Sequence, residues 1–306
     1  MKKKSLGAIL VRDFKKNKQK YLLILPVIIY FILFNYKPMY GLLIAFKRFR
    51  PSLGIWGSEW VGLLNFKRFF SDIYFFRLLR NTLTISFLSL LFSFPMPIIL
   101  ALLLNEVKNM KFKKTVQTIT YMPHFIAMVV MCGMITSFCQ TNGLINQVIE
   151  LLGGAKTNLL LKKEYFYPIY IISEIWKNIG WDSIIFLAAL SGIDQEQYEA
   201  ARVDGAGRMK QMIYITLPGL LPTISILLIL KMGHVLGVGY EKILLLYQPS
   251  TYEVADVIST YTYRKGLIDA DYSYSTAINM FNSIVNIIFL QVSNKLSKKA
   301  GQSGLY

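Results

Sequence analysis

The chain has 306 residues, a formal net charge of +17 and a hydrophobic fraction of 54%. Soluble domains are about 45–50% apolar, whereas here the apolar residues gather in blocks of roughly 17–25, long enough for a helix to cross a bilayer. Eight of the 34 Lys and Arg residues lie in the first 20 positions. Such a cluster is typical of a cytoplasmic flank on anionic lipid and argues against nucleic-acid binding.

Taken in chain order, the apolar blocks predict an all-α, polytopic membrane protein with about six transmembrane helices. Each block has few charges and is bounded by Lys or Arg, Gly or Pro. The predicted spans are residues 21–45, 83–104, 116–138, 166–190, 220–238 and 276–292. Residues 21–306 are therefore treated as one transmembrane domain behind a basic N-terminal segment, residues 1–20.

The distribution of basic residues predicts the orientation. With residues 1–20 in the cytoplasm, six crossings return the C-terminus to the cytoplasm as well. The cytoplasmic segments then carry 18 Lys and Arg residues and the external segments 13. The cytoplasmic segments are 1–20, 105–115, 191–219 and 293–306, and the external loops are 46–82, 139–165 and 239–275. This excess of basic residues on the cytoplasmic side is modest, and the predicted orientation depends mainly on the first 20 residues.

Sequence signs of catalysis are missing. No Gly-x4-Gly-Lys-Ser/Thr loop occurs, so the chain lacks the usual cradle for ATP phosphates. His124 and His234 are solitary, and Cys132 and Cys139 lie in one apolar segment about 10 Å apart if helical, too far for a disulfide. We therefore predict no enzyme active site, no metal site and no cofactor held by this chain.

The most informative stretch is the predicted cytoplasmic loop 191–219. Asp194, with Gln197 three residues later, has the pattern of a helix N-cap, and residues 198–203 form a short helical pattern. Residues 204–207 break that pattern, and residues 208–217 resume it before Pro218. Helix, break and helix would form a bent, rigid projection suited to docking into a partner, and the alternative is an amphipathic linker at the membrane surface.

This stretch is similar to the EAA motif of ABC-importer permeases: Glu-Ala-Ala, three residues, Gly, nine residues, then Ile-x-Leu-Pro. All the spacings match. The matching residues are Glu199, Ala200, Ala201, Gly205, Ile215, Leu217 and Pro218, with Asp204 next to the glycine. The resemblance implies that the loop couples the permease to an ATPase subunit, with Glu199 pairing with a basic ATPase residue, the alanines permitting close contact and Gly205 supplying the bend.

Outer segments resemble the LplB-type permeases of the carbohydrate-uptake group, which import oligosaccharides. The matching segments are residues 35–41, 121–125, 247–274 and 298–306. The resemblance implies a type I ABC importer permease fold in a bacterial cell membrane. It also implies three kinds of partner: a second related permease, an ABC ATPase dimer that uses ATP and Mg²⁺, and an extracellular sugar-binding protein.

Polar residues inside the predicted spans are candidates for the substrate path, because a buried charge costs about 2.5–3.5 kcal/mol on insertion scales. Glu174 and Lys177 are spaced to pair on one helix face, and Lys231 has no partner in its own helix. Amides and aromatic faces suit a sugar ring, so we predict path residues in the fourth and last spans. They are Trp176, Trp181, Asp182, Asn279, Asn282 and Asn286. The asparagine stripe is equally well explained as contact between helices.

Two other classes of protein compete with the permease. An ion-coupled secondary transporter is the main alternative, and it favours paired broken helices in two symmetric halves, a symmetry that the sequence does not show. A membrane enzyme would need a cluster of catalytic side chains near one face, and none is apparent.

Overall fold

The computed structural model describes residues 16–305, and helices make up most of them. Apart from a single turn at Gly54–Gly57, the helices in chain order are α1 (Lys18–Phe46), α2 (Leu64–Phe70), α3 (Phe75–Glu106), α4 (Met110–Tyr121), α5 (Met128–Cys139), α6 (Leu144–Leu151), α7 (Lys163–Ser191), α8 (Gln195–Val203), α9 (Arg208–Met232), α10 (Tyr240–Leu246), α11 (Tyr252–Ala255), α12 (Ile258–Tyr263) and α13 (Tyr272–Lys299). Strands β1 (Lys47–Arg48) and β2 (Glu59–Trp60) form a two-residue antiparallel pair in the first long loop.

Six helical segments are long enough to cross a bilayer. Five of them are also apolar enough: α1, α3, the α5–α6 segment, α9 and α13. The sixth is α7, whose 29 residues extend about 43 Å at 1.5 Å per residue, and it is more polar because it contains Glu174, Lys177 and Asp182. The prediction of an all-α fold with about six transmembrane helices is confirmed.

Two predicted spans have the wrong bounds: 220–238 runs past the end of α9 at Met232, and 116–138 is interrupted. Residues 116–138 do not form a single helix: α4 ends, a short 3-10 turn containing Pro123 follows, and α5 begins. Proline has no N–H to continue the helical ladder. Lys177 of α7 donates hydrogen bonds to the backbone carbonyls of His124 (3.1 Å) and Ile126. A buried lysine from the neighbouring helix therefore satisfies the carbonyls that the break leaves open.

Helix α7 lies at the centre of the fold and packs against α3, α4, α9 and α11. Its approach to α4 is so close that a Cβ on Gly180 would lie 2.2 Å from the carbonyl oxygen of Thr120. Three clusters of buried side chains lie beside α7 or beside the helices that contact α7. They centre on Ile85, Tyr170 and Ile243; on Phe69, Tyr261 and Tyr274; and on Ile98, Phe186 and Leu220.

Helix α1 packs differently from the other long helices. The apolar window within Lys18–Phe46 has 0% of its residues buried, and the C-terminal end of α1 packs against α13 and α2. An apolar helix of this kind is stable where lipid or another membrane subunit covers it.

Candidate functional site

The predicted coupling segment forms the bent pair of helices expected from its sequence. Asp194 caps α8 by accepting a hydrogen bond from the amide of Glu196 at 3.0 Å, which confirms the predicted N-cap. At the other end, the amide of Gly205 donates to the carbonyl of Arg202 and the amide of Ala206 donates to that of Ala201. Together these bonds form a Schellman motif, in which the residue after the cap adopts a left-handed conformation.

Gly205 supplies that conformation, with a φ of +75°. Glycine adopts this geometry without the steric penalty that a Cβ brings. Nothing lies within 4 Å of the position that a Cβ would take at Gly205. The glycine is therefore required by the backbone turn between α8 and α9 and not by crowding.

Helix α8 is fixed on one side and exposed on the other. Tyr198 is half-buried, and its hydroxyl contacts Thr216 Oγ1 of α9 at 3.0 Å. Glu199 and Ala200 are exposed, and Val203 next to the turn is 88% exposed. The helix thus presents a carboxylate, a small residue and an apolar side chain on a rigid support.

The remaining residues of the motif lie in α8, in the turn after it and along the start of α9. Asp204, Leu217 and Pro218 are exposed, and Ala201 and Ile215 are half-buried. Residues 212–216 take a π-helical turn, so the helix register shifts where Thr216 meets Tyr198. The motif therefore forms one continuous projection between α7 and the apolar part of α9.

Inside the membrane-spanning part, the structure corrects the predicted pairing of Glu174 with Lys177. Glu174 instead accepts a hydrogen bond from Ser89 at 2.7 Å and lies 3.8 Å from Lys231 of α9. The ammonium of Lys177 donates its hydrogen bonds to backbone carbonyls of the turn between α4 and α5. Lys231, which has no partner in its own helix, thus lies beside a carboxylate of another helix.

Two cavities share the Glu174–Lys231 pair. The first, of about 460 Å³, lies among α3, α7, α9 and α13, and the second, of about 390 Å³, lies among α3, α7 and α9. Glu174, Lys231 and His234 line both. Both volumes fall in the range of about 300–1,000 Å³ that small-molecule sites occupy.

The predicted path residues do not form one site. Of the six, Asp182 lines the second cavity, together with Glu174 and Lys231. Trp181 is stacked flat against His124, with ring centroids 4.5 Å apart, so one face of the indole is occupied. Trp176 is partly exposed and lines none of the four described cavities.

The asparagine stripe on α13 has three different environments. Asn279 lines an outer cavity that also contains Tyr240 and Tyr263. Asn282 has a buried Oδ1 with no hydrogen-bond partner among residues 16–305. Asn286 Oδ1 accepts from the amide of Leu236 at 3.0 Å, just after α9 ends. Asn286 thus joins α13 to the turn after α9, and Asn279 and Asn282 retain free polar groups.

Sequence reasoning missed the serines and the amide that surround the charges. Ser89, Ser93 and Asn178 sit on α3 and α7 and line one or the other cavity. A signal existed, because polar residues inside an apolar segment face the bundle interior or a cavity. Hydroxyls are common in transmembrane helices, however, so the sequence alone does not single these out.

On the predicted external side, Asp72 links the loop before α3 to α12 and α13. It accepts hydrogen bonds from the hydroxyls of Tyr261 (2.5 Å) and Tyr274 (2.8 Å) and from the amide of Tyr74 (2.9 Å). Burial alone would raise the pKa of Asp72, but these hydrogen bonds outweigh it and hold the pKa below its usual value. Burial and the bond to Asp72 raise the pKa of Tyr261 to about 12.

This linkage predicts an acid-sensitive contact between the external segments. A carboxyl whose pKa is lowered by folding adds stability above its unfolded pKa of about 3.9, and that stability is lost as the pH falls through the lower folded value. We expect the thermal unfolding midpoint to fall with acidification below about pH 4, and to fall less in Asp72→Asn. Asp269→Asn, at an exposed carboxylate, serves as the control. An identical profile for Asp72→Asn and the wild type would contradict the prediction.

Within the described part of the chain, residues 16–305, no three His, Cys, Asp or Glu side chains come together in a way that could hold a metal ion. Two features of the structure are candidates for function: the exposed α8 projection, and the two cavities that the Glu174–Lys231 pair lines.

Comparisons with known proteins match this arrangement. The chain is 47% identical over 96% of its length to the polygalacturonan/rhamnogalacturonan transport system permease protein YteP of Bacillus subtilis (strain 168), covering 95% of that protein. It is also 47% identical to protein LplB of the same organism, over 95% of this chain and 92% of LplB.

Solved structures agree. One is the crystal structure of a bacterial alginate ABC transporter in complex with an alginate pentasaccharide-bound periplasmic protein. A chain in it superposes with a TM-score of 0.89 at 45% identity, covering 96% of this chain and 99% of that one. Residues 60–295 match the family described as binding-protein-dependent transport system inner membrane component. The chain belongs to this family of ABC transporter permeases.

Proposed function

We propose that this chain is one permease subunit of an ATP-driven importer that carries oligosaccharides into a bacterial cell. The observation that supports this most is the 47% identity to a polygalacturonan/rhamnogalacturonan permease over 96% of the chain. A structural relative at 46% identity belongs to a transporter that imports the acidic polysaccharide alginate. Membership of the family decides against the ion-coupled secondary transporter.

The complete importer would contain a second related permease, an ABC ATPase dimer and an extracellular sugar-binding protein. One of the solved relatives was crystallised with a periplasmic protein that holds its saccharide. This chain would supply part of the path, and ATP hydrolysis with Mg²⁺ would occur in the separate ATPase subunits. The uncovered apolar surface of α1 is available to lipid and to the second permease.

The coupling role rests on the α8 projection. Residues 199–205 are exposed except for the half-buried Ala201, and Tyr198 and the Schellman motif hold α8 at a fixed angle to α9. Closure of the ATPase dimer would press on α8, which would move α7 and α9 together because α8 connects them. We propose on this basis that residues 191–219 lie in the cytoplasm, so that six crossings would put both termini on that side. Residues 1–15, which carry part of the basic segment, fall outside the described residues.

The sugar would pass beside the cavities that the charged and amide side chains line. Hydrogen-bonding groups line two separate cavities along this route. Asp182, Glu174 and Lys231 line one of them, and Asn279 and its neighbouring tyrosines line the other. Trp176, Trp181, Asn282 and Asn286 stay as path candidates of lower rank, since Trp181 and Asn286 already have partners in the fold.

Purification of the tagged chain from its native membrane in mild detergent tests the assembly. We expect a second six-helix permease and an ATPase with a Walker motif to co-elute, because the exposed α8 and α1 surfaces require partners. Elution of the chain without any ATPase in several mild detergents would contradict the proposal. The same experiment with Glu199→Lys, which reverses the charge on α8, is expected to lose the ATPase and keep the second permease.

A further inference from the structure

Helix α6 carries aliphatic side chains that point away from the rest of the protein. They recur at helical spacing, so they share one side of the helix. They form the apolar face of α6, which consists of Leu144, Ile145, Val148, Leu151 and Leu152. The last two are the most exposed, at 85% and 83%. The opposite side carries Gln147 and Glu150, which are also exposed. Helix α6 is therefore amphipathic, with both of its sides open.

A buried asparagine fixes α6 in place. Asn146 is completely buried, and its side-chain amide donates hydrogen bonds to the carbonyls of Gln140 (2.7 Å) and Thr157 (2.8 Å). Its side-chain oxygen accepts a hydrogen bond from the amide of Thr157 at 3.0 Å. These bonds hold α6 to the end of α5 on one side and to the segment that leads to α7 on the other. The apolar face is therefore exposed on a fixed helix.

Helix α6 turns away from the axis of α5. In one continuous helix Asn146 would lie about 10 Å along the axis from Cys139, yet its side-chain nitrogen lies 3.4 Å from the carbonyl oxygen of Cys139. Ile149, one turn further on, packs against the cluster of Cys139, Leu159 and Leu160. Both contacts are made at the end of α5, because Cys139 is its last residue. Helix α6 therefore lies across that end and does not prolong α5.

The same place in the fold is the end of α7 that lies at the membrane boundary. The 29 residues of α7 extend about 43 Å, whereas the hydrocarbon core is about 30 Å thick, so the ends of α7 project into the interfacial regions. Exposed Lys162, Lys163 and Tyr165 surround its first turn, and such residues anchor helices at the interface. The α8 projection lies at the other end of α7. Helix α6 therefore lies at the boundary of the leaflet remote from α8.

The composition of the apolar face fits lipid better than protein. Protein interfaces are enriched in aromatic residues, Met and Arg, whereas this face consists of Leu, Ile and Val. Acyl chains offer no hydrogen bonds, and aliphatic side chains need none. On the opposite side of the helix Glu150 pairs with Lys156 at 2.6 Å, which suits water and lipid headgroups. A helix with one aliphatic and one charged side is typical of those that lie in the membrane surface.

We propose that α6 is an interfacial membrane helix, whose apolar face inserts among the acyl chains of the leaflet remote from the α8 projection. The ligand of this face is the hydrocarbon of bilayer lipid, with Lys156 and Lys162 at the level of the headgroups. Because Asn146 joins α6 to the end of α5 and to the start of α7, the insertion sets the height of both helices in the bilayer. The inference concerns membrane contact and does not depend on the proposed transport function.

Nitroxide labels test this on the full-length chain, purified with the subunits that accompany it and reconstituted in vesicles of phosphatidylglycerol and phosphatidylethanolamine. Single cysteines replace Leu144, Leu151 and Gln147 in turn. The native Cys132 and Cys139 are buried, and the chain without an added cysteine gives the background. Collision of each label with O2, which concentrates in the bilayer, is compared with collision with a water-soluble nickel chelate. We expect labels in Leu144→Cys and Leu151→Cys about 5–10 Å below the headgroups, and Gln147→Cys, the matched control, to stay accessible to the chelate.

The two depths also distinguish a helix that lies in the surface from one that crosses it. Leu144 and Leu151 are seven residues apart, about 10 Å along a helix axis. Equal depths support the inference, and a difference of that size overturns it. Access of the chelate to the Leu151→Cys label would place the face in water, and shielding from both reagents would place it in a protein interface; either result overturns the inference. Because Leu151 is 85% exposed, its replacement removes little packing within the chain.

Discussion

We expect Gly205→Pro to abolish ATP-driven uptake while the amount of protein in the membrane stays unchanged. The φ of +75° at Gly205 is out of reach for proline, whose ring holds φ near −65°. Proline also removes the amide that donates to the carbonyl of Arg202. The Schellman motif would open, and α8 would leave the angle at which it meets an ATPase.

Insertion should be spared because this turn lies outside the apolar spans. The protein level in the membrane and the uptake rate are measured together in the reconstituted importer. Gly207→Pro is the matched control, since Gly207 has a φ of −67° and open space around it. We expect that variant to keep most of the uptake. Normal uptake by Gly205→Pro, or equal loss in both variants, would refute a coupling role for the turn.

The sequence predicted the fold best where the physical signal is local. The α8 projection follows from a capping aspartate, a short helical pattern and a glycine, all within about a dozen residues, and each part of it formed as predicted. The long apolar helices follow from segment length in the same way. Both kinds of signal are set by neighbours in the chain and need no knowledge of tertiary contacts.

The prediction failed where contacts between residues far apart in the sequence determine the structure. The break in residues 116–138 is stable because Lys177 from another helix donates hydrogen bonds to its carbonyls. Since the Lys177 ammonium is bound there, Glu174 pairs with Lys231 instead. Helical spacing correctly placed Glu174 and Lys177 near one another but gave no information on their partners. The cavities arise from the packing of three or four helices, which one sequence does not specify.

The external segment 239–275 illustrates this limit most clearly. It was predicted as a loop, yet Asp256 within it is completely buried at 0% exposure. Arg264 binds this carboxylate with two hydrogen bonds, of 2.8 and 2.6 Å. Thr260 donates to the same group at 2.7 Å, and Arg77 of α3 lies 3.7 Å away. A buried charge network therefore attaches the segment to the transmembrane helices.

The second large effect is expected at this network: Arg264→Met should lower the stability of the protein by about 3–5 kcal/mol, because it leaves a buried carboxylate without its main partner. In detergent this corresponds to a drop on the order of 10 °C in the thermal unfolding midpoint. Lys265→Met is the adjacent control. The lysine pairs with Asp269 at 2.8 Å on a partly exposed helix face, and such a pair contributes less than about 1 kcal/mol.

A third variant shows whether the unpaired charge is the cause. Asp256→Asn/Arg264→Met removes both charges, and we expect it to regain part of the stability lost in Arg264→Met, since an amide costs less to bury than an unpaired carboxylate. Equal midpoints for Arg264→Met and Lys265→Met would show that the bidentate pair adds little. No gain in the double variant would show that packing of the arginine side chain, and not its charge, holds the external segment on α3.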